Sequence, residues 1–130
     1  MKKSSFQFSN PHIEEISFTK NKNFEPSKNM DTHISTEVNR SENNSNTADV
    51  TLCIDLGSNK QPFCLNLKMT AKFTWDETIE DVENYLKVNA SALLMSYARP
   101  IIAFLTAQAG YPALHMPFVN FTESVEVIQD

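Results

Sequence analysis

The most constraining feature of the sequence is a long alternation that runs from Phe63 to Trp75. Apolar side chains occupy every second position, and the positions between them are polar or cysteine. A period of two residues places alternate side chains on opposite sides of an extended strand. The apolar side must pack against another layer, so this pattern predicts a layered fold with a sheet as one layer. The apolar set is Phe63, Leu65, Leu67, Met69, Ala71, Phe73 and Trp75.

Three further segments indicate strands. Residues 50–56 alternate in the same way, and residues 57–60 have the composition of a hairpin turn before the long strand. Residues 33–40 form a weaker pattern, and residues 6–19 alternate loosely around Pro11, which suits an edge strand or a bulge. The first half of the chain therefore predicts a four-stranded antiparallel meander with one dry face and one wet face.

A single long helix is predicted over residues 78–109. Thr78 and Asp81 resemble a capping box at its start, and Gly110 is a natural C-cap. Pro100 lies inside this segment and should kink the helix. The acidic residues around the start suit a helix N-terminus, and an alternative role for them is docking of a basic partner.

The chain of 130 residues corresponds to one domain, 1–130. Its strands fall within residues 6–75, its main helix within 78–109, and a connecting loop and tail within 110–130. The predicted fold class is α+β: a four-stranded antiparallel sheet followed by a long kinked helix and a proline-bearing C-terminal loop.

The lengths of the helix and of the long strand predict an oligomer. The helix would span about 46 Å at about 1.5 Å per residue, and the strand about 45–50 Å. A compact globule of this size is only about 36 Å across. Elements that overhang the globule need a partner, so we expect an oligomer interface on one apolar face of the helix. That face comprises Ile79, Val82, Leu86, Leu93 and Tyr97.

Composition excludes several classes of protein. The net charge of −5 disfavours nucleic acid, and two glycines leave no material for a phosphate-binding loop, so no cofactor is expected. A metal site built from His115, Cys53 and Cys64 is conceivable, but no ligand spacing supports one, and both cysteines fit reduced structural thiols. The context of Ser96 does not resemble a nucleophile elbow, so no catalytic residue is predicted.

The termini and the apolar stretches predict a cytoplasmic protein. Lys2 and Lys3 are followed by polar residues and not by the apolar region of a signal peptide. The most apolar stretch, from Ala92 to Phe104, is interrupted by Arg99 and Pro100 and falls short of the roughly 20 residues that span a bilayer. We therefore expect no membrane insertion.

The segment from Tyr111 to Phe121 carries more apolar surface than an ordinary loop. It is either folded over the core or forms one wall of an apolar groove. Methionine and phenylalanine suit binding to varied partners, because such side chains re-pack around different shapes. The groove hypothesis predicts contacts to a bound polypeptide at Phe63, Leu65, Trp75, Leu114, Met116 and Phe118.

The stretch from Leu86 to Phe121 resembles the SecB family of protein-export chaperones. The resemblance consists of a Tyr-x-Arg at Tyr97–Arg99, then Thr106 and Gly110 at the apolar helix end, and then Pro117-Phe118-Val119-Asn120-Phe121. A weaker similarity to the first strand of the family lies at Phe6–Phe8 and Ile16–Phe18. The predicted order of four strands and a helix also matches the family.

The resemblance implies a cytoplasmic, ATP-independent holdase that is not an enzyme. Members assemble as homotetramers, dimers of dimers, with helices packed between the dimers. Unfolded preproteins wrap around apolar grooves formed by the sheet, the main helix and the connecting loop. Well-known members pass their clients to the SecA motor through an acidic face of the sheet.

Two departures from the family pattern bear on that motor. The positions of the acidic face fall near Glu15, Thr19 and Asn66, so one acidic residue of three is kept. The second helix of the family has almost no counterpart after Phe121. Two alternatives therefore stand beside export: a SecB-like chaperone dedicated to an antitoxin, and an oligomeric adaptor that binds no client.

Overall fold

The computed structural model describes residues 6–24, 29–117, 119 and 121, and the backbone of residues 126–129. The strands are β1 (Phe6–Phe8), β2 (His12–Lys20), β3 (Thr32–Arg40), β4 (Thr47–Gly57), β5 (Phe63–Trp75) and β6 (Glu126–Gln129). The helical elements are α1 (Val82–Asn84), a π-helical segment (Tyr85–Asn89) and α2 (Ala90–Gln108). The α+β fold predicted from the sequence is confirmed.

The sheet is not the predicted meander. Its order is β1-β5-β4-β3-β6, and β2 also pairs with β5. β1 and β2 therefore both lie beside β5 and not beside β3, while β3, β4 and β5 follow one another as expected. The predicted stretch 6–19 is split at Ser9–Pro11, where Ser9 keeps contact through its N–H to the Lys72 carbonyl (2.9 Å). Proline has no N–H to continue the ladder, which explains the break.

The two faces of the sheet differ as the alternation predicts. Leu52 lies opposite Met69, and Ile54 opposite Leu67, in the antiparallel register of β4 and β5. These four side chains are buried on the face that carries the helix. The intervening positions, such as Cys53 beside Lys68, form the opposite face. We call these the core face and the polar face.

The helix begins at Val82 and not at Thr78. Asp81 is the N-cap of α1, and its carboxylate accepts a hydrogen bond from the Asn84 N–H (3.1 Å). Thr78 instead donates its N–H to the Asp76 carboxylate (2.9 Å), which makes a turn before the helix. At the other end, α2 runs through Pro100 and ends at Gln108.

The helix covers the core face over β4 and β5. Leu86, Leu94 and Ile102 are fully buried in the common core. The run Val82–Gln108 has 27 residues, and an 18-residue window within it has a mean hydropathy of 1.4, which also satisfies the length and composition of a membrane span. A core helix of a soluble protein satisfies the same test, so this run carries no evidence for insertion.

The five residues of the predicted oligomer interface differ in how far they are buried within their own chain. Leu86 is part of the core of its own chain. Ile79, Val82 and Leu93 are half-buried against that core, and Tyr97 is exposed. Leu86 is therefore unavailable to a partner in this structure, because the helix turns it toward the sheet, whereas the side that carries Tyr97 faces outward.

Candidate functional site

The connecting segment after α2 turns back along the helix. Gly110 has a φ of +95°, a backbone conformation that glycine adopts without steric cost. The next residue, Tyr111, donates its N–H to the Thr106 carbonyl (3.1 Å), and its hydroxyl donates to the Pro62 carbonyl (3.2 Å). These bonds anchor the start of the segment both to the helix and to the sheet.

Two residues of α2 hold the returning chain in place. The buried hydroxyl of Thr106 accepts a hydrogen bond from the Leu114 N–H (2.8 Å) and can donate to the Ile102 carbonyl (2.9 Å). About two turns earlier in α2, the Arg99 guanidinium donates to the Met116 carbonyl (2.8 Å). Backbone groups that would otherwise be buried without partners are thereby satisfied, which fixes the path of the segment.

On the other side, a buried glutamine fixes the loop before β3. The Gln61 carboxamide accepts the Asp31 N–H (2.9 Å) and donates to the Asn29 carbonyl (3.0 Å). Gln61 is only 6 % exposed, so both bonds are shielded from water. Because the bonds bracket Met30, they hold that side chain near the start of β3.

An open groove of about 370 Å³ lies between this loop, the start of β3 and the connecting segment. We call it the β3 groove. Its lining is mainly apolar, and its polar groups come from Asn29 and Thr32. An open, mostly apolar depression suits an extended apolar segment better than a small polar ligand. The lining residues are Asn29, Met30, Thr32, Ile34, Leu56, Leu114, Met116, Pro117 and Val119.

The predicted client contacts are only partly brought together. Leu114 and Met116 line the β3 groove. Phe63, Leu65 and Trp75 are instead buried in the core, with exposed fractions of 5 %, 0 % and 7 %. The Phe63 ring packs against the rings of Phe18 and Tyr111, and the Arg40 guanidinium lies over the Trp75 ring. Within one chain these strand positions therefore belong to the core and do not face a ligand. Phe118 lies outside the described residues.

The sequence analysis missed Met30, Ile34 and Val119 as lining residues. Met30 stands in a polar loop, and Ile34 in the strand with the weakest alternation, so neither had a strong local signal. Val119 also lines a second, smaller cavity of about 60 Å³ with Met95 and Phe121. The connecting segment therefore borders two apolar depressions, the β3 groove and this smaller cavity.

Two further apolar surfaces remain exposed. Phe8, Ile13 and Ile16 lie on the core-face side of the β1–β2 edge, beyond the reach of the helix. On the outward side of α2, Tyr97 and Phe104 are exposed. Exposed apolar surface of this kind marks interaction sites in soluble proteins.

The polar face carries the residues that the resemblance assigns to motor docking. Glu15, Thr19 and Asn66 all lie on this face, opposite Lys68, Cys64 and Ser17 respectively. The Glu15 carboxylate is 3.7 Å from the Lys68 ammonium. A lysine at that distance offsets the charge of the one retained acidic residue, so this part of the face is not strongly acidic.

The polar face shows no catalytic arrangement among the described residues. Its broad depression of about 650 Å³ includes His12 and Glu14, which form an exposed pair 2.9 Å apart. Burial raises the pKa of the Cys53 thiol, and the nearby Glu37 carboxylate raises it further, which disfavours the nucleophilic thiolate. Within the described ranges, His, Cys, Asp and Glu side chains form no group of three that could hold a metal ion.

A sheet covered on one face by a long helix, with a proline-bearing segment folded back along that helix, defines the SecB-like chaperone fold. The chain matches the family model for preprotein translocase subunit SecB over residues 1–125, and it belongs to the SecB family. This is a family of chaperones and not of enzymes. The family resemblance found in the sequence is confirmed.

Solved structures with this fold include two from bacteria. One is a SecB-like chaperone of Mycobacterium tuberculosis in complex with a ChAD peptide from the HigA1 antitoxin, with a TM-score of 0.69 and 13 % identity. The match covers 88 % of this chain and 91 % of that one. The other is a protein of unknown function from Streptococcus agalactiae, with a TM-score of 0.53, 8 % identity and coverage of 87 % and 97 %.

A relative of similar length occurs in an archaeon. An uncharacterized protein of Methanocaldococcus jannaschii is 26 % identical over 135 residues, which cover 98 % of this chain and 87 % of that protein. The similarity therefore extends over almost the whole of both chains.

Proposed function

We propose that this protein is an ATP-independent holdase that binds unfolded polypeptides in an extended conformation and has no catalytic activity of its own. The observation that carries the proposal is the β3 groove, an open apolar channel whose walls are held by hydrogen bonds from Arg99, Thr106 and Gln61. Membership of the SecB family supports it. The protein would act in the cytoplasm, on preproteins or other slowly folding chains.

The free energy for holding a client would come from burial of client apolar surface in the groove. Such burial stabilises a complex by about 25 cal/mol for each Å² removed from water, and it opposes the entropy lost when the client is ordered. It requires no nucleotide. Selectivity would follow kinetics, since a slowly folding client exposes its apolar segments for longer than a fast one.

The test is an aggregation assay on a slowly folding client, with and without ATP, at low and high salt. We expect protection without nucleotide, and we expect it to persist at high salt because apolar burial is not screened. Leu114→Ser, which replaces a half-buried groove residue, should weaken client binding by roughly tenfold, since a large apolar side chain contributes about 1.5–3 kcal/mol when fully buried.

The matched control is Leu114→Met, which keeps an apolar side chain of similar volume at the same position and should bind the client like the wild type. Strict dependence on ATP, or an unchanged affinity in Leu114→Ser, would contradict the proposal. Absence of protection under every condition would favour an oligomeric adaptor that binds no client.

A second candidate is a chaperone dedicated to one antitoxin. The observation that favours it is the structural similarity to the Mycobacterium tuberculosis chaperone bound to an antitoxin peptide. A dedicated chaperone should bind one segment of its antitoxin far more tightly than unrelated unfolded chains. Comparable affinities across several unrelated clients would instead support the general holdase.

Transfer of the client to a SecA-type motor is the weakest part of the export role. Glu15 is paired with Lys68 on the polar face, so the expected acidic docking surface is reduced. We therefore place client binding, and not motor docking, at the centre of the proposed function.

A further inference from the structure

The outer edge of β3 is occupied by another part of the same chain. One edge of β3 pairs with β4 over its whole length, from Thr32 to Arg40. The other edge pairs in parallel with β6, whose four residues lie beside Ser35–Val38. An edge strand presents unpaired N–H and C=O groups to which any extended chain can add, and β6 covers part of them here.

This edge is continuous with the β3 groove. Ile34, which lines the groove, directly precedes the first residue that pairs with β6. Ile34, Thr36 and Val38 share the core face, because their partners in β4 are Ile54, Leu52 and Val50. An extended polypeptide that lies in the groove and continues along β3 would therefore reach the positions that β6 holds.

We propose that the outer edge of β3 is a strand-pairing site for the client, and that β6 occupies this site until a client displaces it. The proposal rests on the proposed holdase function and specifies how the same site binds its ligand. Pairing through the main chain is independent of sequence, which suits a chaperone with varied clients, while the groove selects apolar side chains at alternate positions.

The chemistry of the edge also specifies the client segment. Positions beside Thr36 and Val38 adjoin the core face, so apolar residues fit there. Positions beside Glu37 adjoin the polar face and lie next to the Glu37 carboxylate, whereas Asp49 on the same face lies opposite Lys72. Like charges placed side by side across strands are destabilising, so basic or neutral residues should be favoured over acidic ones at those positions.

The shortness of β6 makes the exchange feasible. A four-residue strand can be displaced by a longer client segment that pairs with β3 and also fills the groove. In the free protein, β6 would shield an edge that could otherwise pair with another copy and aggregate. The apparent affinity for a client is reduced by the fraction of molecules in which β6 is paired, so removal of β6 should increase it.

The direct test uses a labelled nine-residue peptide that alternates valine with threonine or lysine. Along a strand, the N–H groups of alternate residues point to the same edge. In one version of the peptide the backbone nitrogens of the odd-numbered residues are methylated, and in the other those of the even-numbered residues. Each version thus loses the N–H donors on one edge of the peptide and keeps its side chains. Fluorescence anisotropy should show a loss of about tenfold or more in affinity for one version and little change for the other.

Variants of the protein test the competition. A chain shortened after Val125, and the variant Ile128→Pro within β6, should both bind the peptide several-fold more tightly than the wild type, with about tenfold as the upper expectation. Asp130→Pro, next to the paired residues, is the control and should behave like the wild type. In the absence of peptide, those amides of Ser35–Val38 that point toward β6 should exchange hydrogen faster in the first two proteins, whereas those that point toward β4 should not.

The outcomes separate this inference from the proposed function. Suppose that the aggregation assay shows protection. If both N-methylated peptides then bind like the parent peptide, or if the parent peptide does not bind at all, clients are held without pairing to β3 and the inference is wrong. Unchanged affinity after removal of β6 would likewise overturn the competition. Loss of protection in the aggregation assay itself would instead refute the holdase.

Discussion

Thr106 shows how one side chain can determine the shape of the candidate site. Its hydroxyl is completely buried and connects the last turns of α2 to the Leu114 N–H. Leu114 lines the β3 groove, so this bond helps to fix the position of that wall together with the Arg99 contact to the Met116 carbonyl. The sequence analysis identified Thr106 only as part of a family motif, because its contact lies eight residues away along an irregular segment.

We expect Thr106→Val to destabilise the protein by about 1–3 kcal/mol, because the substitution keeps the shape but leaves the partly buried Leu114 N–H without its acceptor. Urea denaturation gives the free energy of unfolding, and the client assay gives the affinity, which should fall as the groove wall loosens. Thr106→Ser retains the hydroxyl and should preserve client affinity. Wild-type stability in Thr106→Val would show that the bond does not hold the segment.

At the scale of single elements, the start of the helix depends on Asp81. Its carboxylate accepts the Asn84 N–H, one of the orphan donors of the first turn. Asp81→Ala should lower the free energy of unfolding by about 0.5–2 kcal/mol, whereas Asp81→Asn, which retains an acceptor, should cost little. The same urea titration measures both. Equal stability of the two variants would show that the cap does not stabilise the helix.

The elements differ in how far the sequence predicts them. The long strand was predicted from Phe63 to Trp75 and has those bounds, because strict alternation over one buried face is a strong signal. The helix start was placed too early, since Thr78 and Asp81 are both capping residues and only tertiary packing selects between them. The crossover of β2 to β5 was missed, because alternation shows which side of a strand is buried but not which strand lies beside it.

The candidate site was less predictable than the fold. Its apolar segment is predicted from Leu114 and Met116, but the opposite wall comes from Met30 and Ile34, eighty or more residues earlier in the chain. Phe63, Leu65 and Trp75, which the sequence predicts as client contacts, are buried in the core. Only the packing of the helix on the sheet distinguishes a strand residue under the helix from one beside it.

At the scale of the whole molecule, the exposed apolar surfaces favour assembly. The outward side of α2 exposes 62 % of Phe104 and 41 % of Tyr97, although these residues belong to the longest helix of the fold. Apolar surface of this kind stays soluble when a second copy covers it, and closed symmetric assemblies are the usual result. This surface differs from the β3 groove, so assembly and client binding can be tested separately.

We expect the protein to be a tetramer at micromolar concentration, with a mass by light scattering of about four times 14.7 kDa. Phe104→Asp should reduce that mass, because a charge buried between subunits without a partner is strongly destabilising. Phe24→Asp is the matched control: Phe24 is 52 % exposed in the turn after β2 and does not belong to α2, so the variant should keep the wild-type mass. A monomeric wild type, or an unchanged mass in Phe104→Asp, would show that the outward side of α2 is not the interface, and the exposed β1–β2 edge would then be the surface to test.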